Sequence, residues 1–232
     1  MLKVKRCVTP KAKVFRRHDW VYLTDHWRQG LPKTLSRQSR KLLESWIARR
    51  RPLVVARRQE GDAPDMLRLG LATPGKQRIC VSVSAYAVLL RRPAPLLLEV
   101  IENAAKVWPE AMRELTAMIA RIAPDTRVYG SLAWQHFAAE PSYCYLRPDS
   151  DIDLLFTPQD SAKLGAWIDL LRDFERRWPA PRLDGEIALR NGDFMSWREF
   201  AARPRKILVK GAESISLRQI EDIDSLLAAR AA

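Results

Sequence analysis

The sequence predicts an α+β fold in two parts, and three observations carry that expectation. Short apolar runs parted by turn residues crowd 52–83, apolar stripes at helical spacing fill 96–122, and strand, helix and strand patterns follow one another across 150–189. Together they describe a β-rich unit with helices around it, then helices beside a mixed sheet. Pro93 and Pro95, in RRPAPLLLEV, resist continuing any regular element and mark the boundary. The chain is read as a flexible basic arm (1–13), a small β-rich α/β domain (14–94) and a second domain (95–232).

The arm carries Lys3, Lys5, Arg6, Lys11 and Lys13 with no periodicity. From Arg17-His18-Asp19-Trp20 the chain turns aromatic and apolar. Leu35, Leu42, Leu43, Trp46 and Ile47 recur at helical spacing among basic residues, which predicts an amphipathic helix over 33–50 with a basic outer face. Residues 52–56 form a buried strand emerging at Arg57 and Arg58, and 66–72 and 78–83 are two more strands, set apart by turns at 61–65 and 73–76. Past the prolines, 96–105 and 109–122 predict helices, the second with Met112, Leu115, Met118, Ile119 and Ile122 on one stripe. Asp160 or Ser161 caps a helix that Pro179 stops after Trp178. Residues 182–189 are the next strand, and Asn191-Gly192 turns the chain into 193–197. Ser196-Trp-Arg-Glu199 opens a short helix as a capping box. Residues 206–210 are expected as the last strand and 216–229 as the last helix.

With 47% apolar residues the chain can bury a sizeable core, yet no apolar run approaches the roughly 20 residues that cross a bilayer. The N-terminus is basic without an apolar core, so it is not a secretory signal, and a cytoplasmic protein with no membrane contact is expected. Cys7, Cys80 and Cys144 are widely spaced with no Cys-x-x-Cys, which points to reduced thiols rather than disulfides or zinc. Residues 1–100 hold 22 Lys and Arg against 7 Asp and Glu, a balance of +15, while the rest of the chain balances at −2. A surface of that sign attracts nucleic acid, a polyphosphate or an acidic protein. Without an RNA-binding motif or an aromatic stacking run, nucleic acid is the least favoured of the three.

Chemistry concentrates in 127–156, RVYGSLAWQHFAAEPSYCYLRPDSDIDLLF. Asp151 and Asp153 alternate with Ile152 ahead of Leu154, Leu155 and Phe156, which reads as a strand with both carboxylates on one face. Neighbouring like charges repel, and a hard divalent cation removes that cost: Mg2+, or Mn2+ in its place, takes carboxylate oxygens and completes its shell with waters and phosphates. Upstream, Arg127-Val-Tyr-Gly130-Ser131 is a short strand entering a Gly-Ser turn and then a helix from Leu132, whose backbone N–H groups can cradle phosphate. Asp184 and Glu186 alternate along the following strand, and either supplies a third metal carboxylate, with Asp184 favoured because it stands at the strand mouth. Ser150, beside the pair, together with Lys210, His18, Arg57 and Arg58, completes the candidate substrate-binding set.

These residues resemble the phosphoribosyl-dephospho-CoA transferase family, the holo-acyl-carrier-protein synthases of malonate decarboxylase. The resemblance spans roughly 14–218 and rests on Arg17-His18-Asp19, 51–55, 128–135, 150–155, Leu183-Asp184-Gly185-Glu186, Trp197-Arg198-Glu199 and Leu208-Val209-Lys210. It implies a nucleotidyltransferase-like catalytic domain of polymerase-β type behind a family-specific N-terminal domain, with Asp151 and Asp153 as the catalytic pair. The implied reaction joins triphosphoribosyl-dephospho-CoA to a serine of an acidic acyl carrier subunit and releases pyrophosphate. Residues 137–149 are longer and more charged than relatives lead one to expect, and the oligomeric state stays open. A nucleotidyltransferase acting on RNA or a small molecule, and a non-catalytic basic protein-binding module, are the competing readings.

Overall fold

The computed structural model describes residues 15–31, 34–140 and 143–228; the basic arm lies outside them. The first half builds one antiparallel sheet from β1 (Trp20–Leu23), β2 (Leu53–Val55), β3 (Met66–Ala72), β4 (Arg78–Ser84) and β5 (Val88–Arg92), in the order β4-β3-β2-β1-β5. The period of two is plain in β3 and β4, where Leu67, Leu69 and Leu71 face Val83, Val81 and Ile79 across the ladder and all are buried. Helix α1 (Arg37–Ala48) starts at Ser36, whose side chain accepts from the Ser39 N–H, and buries Leu43 and Trp46 in the core. The predicted 33–50 helix is thus real but shorter.

The second half opens with α2 (Leu97–Ala105) and α3 (Pro109–Ile122), then alternates into β6 (Arg127–Tyr129), α4 (Gly130–Ala138), β7 (Ile152–Phe156), α5 (Ser161–Arg177) and β8 (Leu183–Ala188). It closes with β9 (Phe194–Ser196), α6 (Trp197–Ala201), β10 (Lys206–Lys210), β11 (Ile215–Gln219) and α7 (Ile220–Ala228). The sheet order is β11-β10-β9-β8-β7-β6, with β7 and β8 parallel and every other pair antiparallel. Strand, helix and strand from β7 through α5 to β8 therefore form the expected βαβ unit. Asp160 caps α5 by accepting from the Lys163 N–H, and Ser196 caps α6.

Expectation and structure differ at several elements, two of them exposed strands. Residues 216–219 are strand, not helix: Leu217 pairs with Leu208 on the sheet edge, where its exposed side chain leaves no stripe to separate strand from helix. β5 was not foreseen either, because Leu89 and Leu90 are exposed and the strand shows no burial alternation.

The halves share one core. Trp20 of β1 packs 4.5 Å from Trp134 of α4, and Trp46 of α1 lies 5.6 Å from the same ring. The long segment between α4 and β7 straps across the seam. The Tyr145 hydroxyl donates to the Ala72 carbonyl at 2.9 Å, Arg147 reaches the Pro74 carbonyl at 3.4 Å, and Arg51 pairs with Glu140 at 2.6 Å. Among the described residues no helix is long and apolar enough to cross a membrane.

Candidate active site

The parallel register of β7 and β8 sets Asp153 opposite Asp184 and Leu155 opposite Glu186. Such close strands require Gly185, at φ +147°, because a Cβ there would come within 2.1 Å of the Leu154 carbonyl oxygen. Asp151 lies one residue before β7 and, with Asp153, faces a cleft of about 790 Å3 between the two sheets. Gly130, Ser131, Ser150, Lys210, His18 and Arg57 face the same cleft.

Helix α4 begins at Gly130, earlier than the sequence suggested, and Tyr129 before it provides no side-chain cap. Its first-turn N–H groups are therefore available to an anion. Gly130 has φ +60°, and a Cβ on it would fall 1.9 Å from Asp153 Oδ2. The helix N-terminus and the carboxylate are thus in direct apposition, which only glycine permits.

The acids have different surroundings. Burial, with the nearby charges of Asp184, Asp151 and Glu186, pushes the Asp153 carboxyl up to about 7. Asp151 and Asp184 are bridged by Arg182, whose Nη2 lies 2.8 Å from Asp151 Oδ2 and 3.2 Å from Asp184 Oδ2. The cationic guanidinium here balances the charge of the two carboxylates. No group of three His, Cys, Asp or Glu side chains among the described residues is already gathered as a metal cage. The donor chemistry nonetheless fits a hard divalent ion: Asp151, Asp153 and Asp184 offer oxygen alone, and Asp153, raised first by burial and then by its acidic neighbours, is an acid whose ionised form a cation would favour.

Glu186 is differently engaged. Buried, it accepts from Arg17 at 3.3 Å, His18 Nε2 at 2.9 Å and Lys210 Nζ at 2.8 Å. Burial opposes its ionised form, but the His18 hydrogen bond, the charge of Arg17 and the Lys210 hydrogen bond prevail and hold its carboxyl down at about 2. For His18 burial prevails and lowers its pKa, so the neutral ring donates its Nε2 proton to Glu186. The Tyr129 ring lies against that of His18, tilted, with centroids 4.2 Å apart. Glu186 lines the cleft as a counter-ion with its oxygens committed, whereas Asp184 lies outside the cleft lining, its Oδ1 accepting from the Gly185 N–H at 2.8 Å and its Oδ2 from Arg182 at 3.2 Å. Arg58 is turned out of the cleft, donating to the carbonyls of Asp62 at 2.8 Å and Ala63 at 2.9 Å.

Residues 16–94 match the N-terminal domain, and residues 96–221 the C-terminal domain, of phosphoribosyl-dephospho-CoA transferase MdcG. The chain belongs to the phosphoribosyl-dephospho-CoA transferase family. It is accordingly an enzyme, a transferase. A phosphoribosyl-dephospho-CoA transferase of Xanthomonas campestris pv. campestris is 37% identical over 171 residues, covering 72% of this chain and 78% of the relative. Those of Xanthomonas euvesicatoria pv. vesicatoria and Bradyrhizobium diazoefficiens are 32% and 30% identical over 207 and 205 residues, covering 87% of this chain and 92% and 88% of theirs. No solved structure matches the chain.

Within this transferase, sequence reasoning overlooked Arg182, Arg17 and Tyr129. Arg182 had a readable signal, since it precedes Asp184 by two residues and shares its strand face. Arg17 meets Glu186 from 169 residues away, a contact no local pattern encodes.

Proposed function

We propose that the chain transfers the 2′-(5″-triphosphoribosyl)-3′-dephospho-CoA group to a serine of the malonate decarboxylase acyl carrier protein, in the cytoplasm and with Mg2+ or Mn2+. The observation that carries this reading is the contact between Gly130 and Asp153, which sets an uncapped helix N-terminus against a carboxylate pair. Phosphoryl transfer asks little covalent work of a protein and much positioning and charge stabilisation. In the proposed reaction the serine oxygen bonds to the α-phosphorus, the bond to the bridging oxygen breaks, and pyrophosphate leaves.

The Gly130 and Ser131 N–H groups hold phosphate oxygens in line, with Ser150 at the cleft edge. Lys210 and Arg17, seated on Glu186, present positive charge to the same anion. Asp151, Asp153 and Asp184 would hold the divalent ion, which supplies charge neutralisation at the leaving pyrophosphate. Arg182 would then serve as a movable counter-ion, holding the two outer acids apart from their buried neighbour when no cation does. A nucleotidyltransferase-like catalytic unit is part of the same proposal, supported by the βαβ placement of the acids.

The test is incubation with triphosphoribosyl-dephospho-CoA, Mg2+ and apo carrier proteins of malonate decarboxylase and citrate lyase, followed by mass measurement of the carrier serine. Asp151→Asn or Asp153→Asn should end the transfer in a folded protein, and near wild-type turnover in either would refute the assignment.

A further inference from the structure

We infer that the cleft contains a second anion subsite, built from Arg57, Lys76, Arg78 and Arg147, that takes the 5′-diphosphate of a dephospho-CoA-type nucleotide. The subsite rests on the proposed function for its ligand, and on the following geometry for its existence.

All four side chains line the same cleft as Asp151 and Asp153 but belong to its other wall. Arg57 follows β2, Lys76 sits in the turn between β3 and β4, Arg78 opens β4, and Arg147 comes from the strap. The strap brings the last of them in: Tyr145 fastens it to Ala72 at 2.9 Å and Arg147 touches the Pro74 carbonyl at 3.4 Å. Residues 137–149, which the family resemblance left without a role, thereby add a cation to a wall made by the N-terminal sheet.

Some arginines elsewhere are neutralised by acids. Arg68 is paired with Asp62 at 2.8 Å, Arg91 with Asp19 at 2.6 Å, and Arg51 with Glu140 at 2.6 Å. Among the described residues none of the four cleft cations has a carboxylate within ion-pair distance, although Asp149 stands on the same cleft. Four uncompensated cations facing one cavity raise the local concentration of anions and leave donors for phosphate oxygens. Glu186, in contrast, anchors a separate cationic group, Arg17 and Lys210, at the carboxylate end.

Two cationic groups in one cleft match a ligand with two separated anions. The reacting triphosphate belongs at Gly130, beside Arg17 and Lys210, and the diphosphate that links adenosine to pantetheine belongs at the second group. Between them the wall is low and apolar, where Val54 pairs with Gly70 and Gly70 with Cys80 across three strands, and Trp20 and Trp134 complete the lining. That trough suits the ribosyl-adenosine portion that joins the two anions.

The full chain, titrated by calorimetry with 3′-dephospho-CoA, inorganic tripolyphosphate and pantetheine, tests the inference. Wild type should bind dephospho-CoA, with affinity falling as salt rises. Arg78→Glu with Arg147→Glu should weaken it by about tenfold or more, raise KM for the nucleotide more than it lowers kcat, and leave tripolyphosphate affinity in place. Arg78→Lys should recover most of the binding. If the double variant fails to fold, Arg57→Ala with Lys76→Ala gives the same comparison. No binding of dephospho-CoA to wild type, unaltered binding in the variants, or a changed KM for the carrier protein alone would each overturn the subsite. Loss of dephospho-CoA binding in variants of a protein that modifies no carrier would leave the subsite standing and remove the proposed function instead.

Discussion

Replacing Asp153 by Asn should make the cation-free protein more stable at alkaline pH. The carboxyl titrates near 3.8 in an unfolded chain and at about 7 in the fold. Folding therefore disfavours its ionised form. Below about pH 4 both states are protonated and the effect vanishes; it grows as pH rises through the interval and is complete above about pH 7. Three units at about 1.4 kcal/mol each set a ceiling of about 4 kcal/mol, and relaxation around the exposed Arg182 reduces it to about 2–4 kcal/mol. For a chain of this size each kcal/mol moves the melting temperature by about 2–4 °C. Scanning calorimetry of wild type and Asp153→Asn at pH 8 and pH 4 in chelator should show the variant melting higher at pH 8 only. Saturating Mg2+ should raise the wild type and leave the variant unmoved. Equal melting at both pH values, or an equal response to Mg2+, would refute the reasoning that Asp153 is a destabilised acid awaiting a cation.

Gly130→Ala should cost about 1–2 kcal/mol in backbone strain and, by displacing Asp153, slow transfer about a hundredfold or more; circular dichroism checks that the fold survives. Glu186→Gln should lower stability at pH 7 by about 3 kcal/mol, because Arg17 and Lys210 lose a buried counter-ion. Its folded carboxyl lies at about 2 against 4.5 unfolded, so the contribution is present above pH 4.5 and disappears as pH falls toward 2. Urea unfolding at pH 7 and pH 3 should show the gap to wild type narrowing in acid. Arg51→Ala removes both the pair with Glu140 and the guanidinium over Trp46 and Tyr143, loosening the strap. It should cost about 1 kcal/mol and raise KM for the nucleotide substrate in steady-state assays.

The sequence was most readable where short-range physics decides the outcome. Asp153 and its apolar neighbours, the Asp160 cap and the βαβ passage from β7 to β8 follow from spacing and turn chemistry within a few residues. Where exposure blurs periodicity, as at Leu89 in β5 and Leu217 in β11, pattern alone chose wrongly or not at all. The site divides along the same line. Asp151 and Gly130 were legible, whereas the partners that separate Asp184 from Glu186 come from far along the chain: Arg17 and His18 from one side, Lys210 from the other. Arg57 and Arg58 are adjacent in sequence, yet only the first faces the cleft, because the Asp62 and Ala63 carbonyls capture the second.

The Glu186 anchor also bears on how the enzyme can be divided. Two of its three donors lie ahead of Trp20, in the half without Asp151, Asp153 and Asp184. A C-terminal half expressed by itself would retain an acid shaped for company it no longer has, with Lys210 as sole consort. Splitting the enzyme at its proline boundary would therefore yield a fragment that repacks around an orphaned charge, and adding the missing half in trans should restore it.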